Sequence, residues 1–580
     1  MSNSGSFFCV CRSLQINSST VIHTIFMRAE SKNKLLKGAA VLAVCAIIAK
    51  LIGALYRVPL TNIIGTQGIG LYQMVFPLYT VLLTVSSGGL PVAISRVVAE
   101  RTANNDEAGA RQVLFTSLCS LALIGAAAGG VLALLRNQIA AVQGNGGAAI
   151  AYLGIAPSIL FVAVIAAFRG YYQGRQNMLP SAVSQLLEQA VKLTLGLTLA
   201  RIMFPLGIEY GVLGAVLGVS ASEFITMLYL SARFFFTNVR YRKRTRVPLA
   251  TLNTEAGIDI AFPVIAPKKT NRSLLKEVYR VAIPVTFGSL VMPITQVIDS
   301  IIVINILSAN GMSRPAATGA FGLLTGPIGT LLNMPVVITL SFAIALLPKV
   351  SECFFKKESA DGAIAESLKY NLILGLLAAL IFGVFGKDIL LILYAGGLTA
   401  EEIQIGAMLL RIGSVSILYV SLLQVATAVL QGVNLAHKPA VNLLYGTAAK
   451  VILTLALLPF FGLLGAMAAS CACYGITCIL DIRAMKQVTH LKLDFREFLL
   501  GPLTAGVVFS VAGLLLSKLF LNLFSPLLSV ILALTVALVA YFILLLVFKS
   551  IKLSELKEVP LIGRFIKRTE KRKSVHKAAE

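Results

Sequence analysis

Charged side chains inside long apolar stretches are the residues of this chain most able to do chemistry. A charge in a bilayer core is tolerated mainly where it lines water, pairs or does work. Lys50, Arg57, Lys192 and Lys450 are the cations placed in this way, and Glu188, Glu223 and Asp299 are the acids. Lys50 lies about 13 residues into its apolar run, roughly 20 Å along a helix, too deep for easy snorkelling. Arg57 follows two helical turns later on the same face, nearer the far boundary. Lys192 and Lys450 each lie a little over ten residues into a run, near the bilayer midplane. Cations that face one cavity attract an anionic group such as a phosphate or pyrophosphate, whereas a carrier of cationic drugs calls for the reverse balance. These four side chains are the candidate head-group site.

Glu188 precedes Lys192 by one turn, and the simplest expectation for the two is an i, i+4 ion pair. Glu223 and Asp299 are each a candidate for binding a coupling proton or sodium ion, or for a structural pair between helices. Arg201, Lys387, Arg411 and Lys518 fall near the ends of apolar runs, as interface anchors do. No cofactor is implied; the expected drive is Na+, H+ or the membrane potential.

Positioning these groups requires membrane-spanning helices. Of 580 residues, 57% are hydrophobic and 13% charged, and the mean hydropathy is +0.86. Apolar runs of spanning length, roughly 20 residues each, occur near 36–58, 71–99, 111–135, 148–174, 180–205 and 210–236. A second set lies near 277–307, 317–348, 366–394, 402–433, 439–461 and 463–485, and a last pair near 498–521 and 526–548. The expected fold is an all-α polytopic membrane protein of about fourteen transmembrane helices. Its parts are an N-terminal segment over 1–35, an N-lobe over 36–236, a basic linker over 237–275 and a C-lobe over 276–487. The final helix pair over 498–549 and a basic tail over 550–580 complete it.

The formal charge of +25 does not imply nucleic acid, because the basic residues sit in alternate loops. With a cytoplasmic N-terminus, about 40 of the 50 Lys and Arg fall on that side and about two, Arg136 and Arg314, on the other. Both termini are then cytoplasmic, and membrane lipids are the partners of the basic clusters. The short basic segment after Met27 is a natural lead-in to the first span, and translation is expected to start at Met27 rather than Met1.

The two sets of six spans look like copies of each other. Ser158-Ile159-Leu160, Gln173-Gly174, Pro180 and Lys192 recur as Ser416-Ile417-Leu418, Gln431-Gly432, Pro439 and Lys450, with a one-residue slip at the proline. Tyr210-Gly211-Val212-Leu213-Gly214-Ala215 recurs as Phe461-Gly462-Leu463-Leu464-Gly465-Ala466, and Ile225-Thr226 as Ile476-Thr477. A weaker match relates Ser95-Arg96-Val97 to Pro348-Lys349-Val350. Six spans per copy make the repeat parallel, the arrangement of lobes that rock about a central cavity in alternating access.

A glycosyltransferase or polymerase would need acid–base or metal groups on one face. The four histidines (His23, His437, His490, His576) are scattered, the eight cysteines show no zinc or disulfide spacing, and Glu401 with Glu402 is the one outer carboxylate pair. Nothing in the sequence points to an enzyme.

The first span and the loop after it, Lys50-Leu51-Ile52-Gly53-Ala54-Leu55-Tyr56-Arg57-Val58-Pro59 through Gly65, Gly68, Gly70, Leu71 and Tyr72, resemble one family. So do Met334-Pro335 through Leu346-Leu347-Pro348-Lys349-Val350-Ser351, and Gln296 with Asp299. The chain resembles, over about residues 34–550, the stage V sporulation protein B-like polysaccharide and lipid II flippase branch of the multidrug/oligosaccharidyl-lipid/polysaccharide (MOP) exporter superfamily. The resemblance implies two lobes, a cationic cavity, and two C-terminal helices that help form a groove for a lipid tail. It matches Lys50 and Arg57 to the basic positions that hold a pyrophosphate head group, with one more residue between them than in the family. Neutral residues around Thr80 and Thr330 stand where the Gram-negative type carries arginines, which favours the Gram-positive type.

The function so implied is a flippase for an undecaprenyl-pyrophosphate-linked saccharide, either lipid II or a polysaccharide precursor, in a bacterial cell membrane. Enzymes of cell-wall or polysaccharide synthesis are its expected protein partners. The alternative in the same superfamily is a multidrug cation antiporter dependent on an acid such as Glu223 or Asp299.

Overall fold

The computed structural model describes residues 18–244, 270–491 and 496–551. Most of the basic linker and nearly all of the tail expected from sequence, and residues 1–17, lie outside the described residues. Every regular element among the described residues is helical. The N-lobe comprises α1 (Ser18–Ser87), α2 (Leu90–Ala103), α3 (Glu107–Leu134), the short α4 (Arg136–Val142), α5 (Ala149–Gly174), α6 (Leu179–Met203) and α7 (Ile208–Arg244). The second half runs through α8 (Asn271–Ala309), α9 (Arg314–Leu323), α10 (Gly329–Lys356), α11 (Asp361–Tyr394), α12 (Ala400–Gly432), α13 (His437–Phe461) and α14 (Leu463–Lys486). It ends in α15 (Gly501–Leu521) and α16 (Pro526–Val547).

The helix α1 is two spans. Gly65 breaks it at φ 68° and ψ −177°, a conformation in which a side chain is strained. The chain doubles back there: the rings of Tyr56 and Phe76 lie 5.3 Å from one and the same Lys192 ammonium. In a continuous helix those two residues would stand roughly 30 Å apart. The stretch between the first two spans is therefore helical apart from Gly65, not the loop its glycines suggest.

Among the described residues, 12 helical segments are long and apolar enough to cross a membrane. One of them, Val44–Ala103, is 60 residues long and contains the Gly65 break. Dividing it there, and adding α6, whose Glu188, Lys192 and Arg201 lower its hydropathy, recovers the fourteen spans read from the sequence.

The repeat is visible in the packing. A Cβ on Gly214 of α7 would run into the Leu199 carbonyl of α6, and one on Gly465 of α14 into the repeat-related Leu457 carbonyl of α13. Small residues permit such close crossings in membranes. Gly174 of α5 packs on Ser95 and Val98 of α2 in the way that Gly432 of α12 packs on Val350 and Ser351 of α10. The weak match between Ser95-Arg96-Val97 and Pro348-Lys349-Val350 thus reflects equivalent places in the two lobes.

The helix α8 bridges the lobes. Its first half lies on the N-lobe, where the Gly89 amide donates to Thr286 at 3.1 Å and Tyr279 meets Ser120 at 2.8 Å. Its second half packs on α13, with Thr295 and Thr447 3.3 Å apart. The C-terminal pair packs on α11 through an edge-to-face chain of Phe385, Phe509 and Tyr541, and the Tyr541 hydroxyl donates to the Ile373 carbonyl at 3.1 Å.

Candidate functional site

At the end of the bundle marked by Gly65 the lobes are locked together. Asn62 donates to the Leu393 carbonyl at 2.9 Å, Gln73 to the Thr325 carbonyl at 2.7 Å, and Asn145 to Thr318 at 2.9 Å. The Arg314 guanidinium donates to the Gly144 carbonyl at 2.5 Å. Gly70 of α1 and Gly322 of α9 cross with no room for a side chain on either. Thr66 donates to Glu402 at 2.5 Å, and the same carboxylate closes a capping box with Thr399 at the start of α12. Glu402, met in the sequence as half of an acid pair, therefore belongs to a seal.

Behind this seal lies a cavity of about 600 Å³ between the lobes, within the range of small-molecule sites. Arg57, Phe76 and Thr80 face it from α1, Asp299 from α8, Lys450 from α13 and Tyr474 from α14. The Arg57 guanidinium makes a long 3.4 Å contact with Thr330, which leaves most of its five donors available to a ligand. Lys450 donates to Asp299 at 2.5 Å, both side chains being largely buried. Asp299 is thus one half of an interhelical ion pair, and the cationic surplus on the wall is carried by Arg57. Thr80 and Thr330, the neutral departures seen in the sequence, both lie at this cavity or against its arginine.

The other predicted residues fall elsewhere. Lys192 does not line the cavity; it sits on the far side of Phe76, over the rings of Phe76 and Tyr56. Glu188 does not pair with Lys192 but with Arg169 of α5 at 2.9 Å, and Arg169 also donates to Ser184 at 2.9 Å. The i, i+4 geometry permitted the expected pair, but a guanidinium from the neighbouring helix takes the acid first. Glu223 is buried and accepts from the Tyr79 hydroxyl at 2.6 Å. Lys50 is exposed and is not among the cavity-lining side chains, and Arg201, Lys387, Arg411 and Lys518 are exposed as interface anchors are.

Two polar groups were not foreseen. Arg169 gave only the signal of a charge inside an apolar run. Asp481, fully buried on α14, accepts from Asn442 at 2.6 Å and from Thr427 at 3.1 Å. An apolar groove of about 590 Å³ lies between α8 and α13, with Phe287, Ile294, Thr447 and Ile452 in its walls. It abuts the same helices whose other faces carry Asp299 and Lys450.

Two six-span lobes in parallel repeat, a cavity at their seam and a seal at one end define a multi-pass membrane transporter. A family model described as "Polysaccharide biosynthesis protein" matches residues 35–354. The chain belongs to that family, within the MOP exporter superfamily. It is 29% identical to stage V sporulation protein B of Bacillus subtilis (strain 168), over 92% of this chain and 99% of that protein. It is 25% identical to the lipid II flippase MurJ of the same organism, over 76% of this chain and 80% of that one. Among solved structures, a lipid II flippase MurJ in an inward closed conformation superposes with a TM-score of 0.63 at 13% identity, covering 87% of this chain and 98% of that one. An inward-facing multidrug resistance MATE family transporter of the MOP superfamily gives a TM-score of 0.56 at 16% identity, covering 76% and 94%.

Proposed function

We propose that this chain is a flippase that carries a polyprenyl-pyrophosphate-linked saccharide, lipid II or a polysaccharide precursor, from the cytoplasmic to the outer leaflet of a bacterial cell membrane. The observation that carries the reading is the cavity itself: Arg57 and Lys450 face one space at the seam of the two lobes. An anionic head group shelters there beside Arg57, while the lipid tail stays in the bilayer along the apolar groove of α8 and α13. Both termini face the cytoplasm, so the sealed Gly65 end faces outward. Rocking of the lobes breaks that seal and opens the cavity to the other leaflet. No covalent step is part of this reading. The cargo is delivered by enzymes of cell-wall or polysaccharide synthesis, and the drive is an ion gradient or the membrane potential. The likeness to lipid II flippase MurJ supports the cargo class.

Depletion of the protein in its source bacterium tests this, with rescue by wild type, Arg57→Ala or Lys450→Ala. The expected result is build-up of lipid-linked precursor in the cytoplasmic leaflet, relieved by wild type and not by the variants. A second reading, a multidrug cation antiporter, is favoured by the acid Asp299 on the cavity wall. Unchanged precursor levels together with altered drug sensitivity would put that reading first.

A further inference from the structure

The N-lobe holds a buried acid for which cargo binding has no use. Glu223, midway along α7, is 4% exposed and does not line the cavity. Its Oε1 accepts from the Tyr79 hydroxyl at 2.6 Å, and its Oε2 is buried without a hydrogen-bond partner. The titratable groups that face it are Tyr79 from α1 and Glu188 and Lys192 from α6; α5 contributes the Ser158 hydroxyl, which donates to Ile155 of its own helix. Glu188 is held by Arg169. Lys192 makes no ion pair among the described residues, and its ammonium rests on the rings of Tyr56 and Phe76.

The other lobe shows what a lysine at this place does when a carboxylate is in reach. Lys450, the repeat equivalent of Lys192, grips Asp299 at 2.5 Å, and the position equivalent to Glu223 is Tyr474. A carboxylate left buried with a bare oxygen while a lysine nearby lacks a partner is a costly arrangement. A neutral carboxylic acid is far cheaper to bury and exerts no such pull.

We propose that Glu223 is a proton-binding site that switches Lys192. Protonated, it leaves the ammonium on the aromatic rings, where Lys192 lies here. Ionised, it draws the ammonium onto itself, as Asp299 draws Lys450; the proton passes to water, and the net charge of the pair falls from +1 to zero. Phe76 links the switch to the cavity, since it lines that space, carries Lys192 on its ring and meets Tyr79 edge-on at 5.8 Å. A proton fits the site better than sodium, because it adds no separate cation beside Lys192, where a metal ion is repelled. The proposal rests on the flippase reading only for its use: in the protonated state Lys192 stands behind Phe76 as a further cation for an anionic cargo.

Infrared difference spectra of the full chain in lipid nanodiscs, taken across a pH series without cargo, test the switch. A protonated-carboxyl band is expected near neutral pH that fades as pH rises, is absent in Glu223→Gln, and shifts in frequency in Tyr79→Phe. In Lys192→Met the band should persist to a pH higher by about one to three units, because the cation that favours the carboxylate is gone. Should Glu223→Gln fail to fold, the Tyr79→Phe and Lys192→Met spectra carry the test. Spectra identical in wild type and Glu223→Gln, or a band blind to both other substitutions, would overturn the proposal whether or not the protein moves lipid. A Glu223-dependent band in a protein that moves no lipid would uphold the proton site and remove the flippase reading alone.

Discussion

Lys192 and Lys450 occupy the same place in two copies of one six-helix lobe, yet one rests on aromatic rings and the other holds a carboxylate. The difference lies in which helix supplies the acid. In the C-lobe Asp299 comes from α8, directly across from α13, whereas in the N-lobe Glu223 comes from α7 and is held by Tyr79. A second repeat-related site has changed in the same manner. Arg169 and Ser184 of the N-lobe correspond to Thr427 and Asn442 of the C-lobe. In the first pair Arg169 alone holds Glu188 on α6, donating also to Ser184, whereas both members of the second pair hold Asp481 on α14. The lobes thus share a scaffold, and their buried charges are wired separately.

Breaking the two lysines in turn separates these roles. Asp299→Ala should show the largest effect on stability, a loss of about 3 kcal/mol in denaturant titration, because it strands a mostly buried ammonium. Removing Lys450 as well should restore a large part of that loss. Lys192→Met should cost less, about 1 kcal/mol, since only ring contacts are lost. Equal losses for Asp299→Ala and Lys192→Met would erase the contrast between the lobes.

Arg57→Ala should leave stability nearly unchanged while weakening binding of undecaprenyl pyrophosphate roughly 10- to 100-fold, the worth of charge-assisted hydrogen bonds. Arg169→Ala, which frees the partly exposed Glu188, should cost about 1.5 kcal/mol, more than Thr427→Ala at the equivalent C-lobe place. The smallest expected effect is at the seal. Thr66→Val removes one hydrogen bond to Glu402 and should raise labelling of a Thr80→Cys thiol from the Gly65 side about fivefold in a background without other cysteines.

Much of this design was legible in the sequence. The spans, the parallel repeat and the seven deep charges followed from hydropathy and spacing, and Lys450, Asp299 and Arg57 do meet at one cavity. Pairings were less legible, because they depend on how each helix is rotated. Lys192 and Glu188 lie one turn apart, yet Arg169 reaches Glu188 from another helix. Lys50 has the depth of a cavity residue but is exposed and is not a lining side chain. Gly65 read as part of a loop because a run of glycines hides the one whose positive φ makes the turn.

The most direct measurement is the affinity of the purified chain in nanodiscs for undecaprenyl pyrophosphate, neutral undecaprenol and the lipophilic cation tetraphenylphosphonium. The pyrophosphate is expected to bind at least about tenfold more tightly than the other two, and Arg57→Ala and Lys450→Ala are expected to remove the preference. Equal affinity for undecaprenol, or preference for the cation, would contradict a cavity built for an anionic head group.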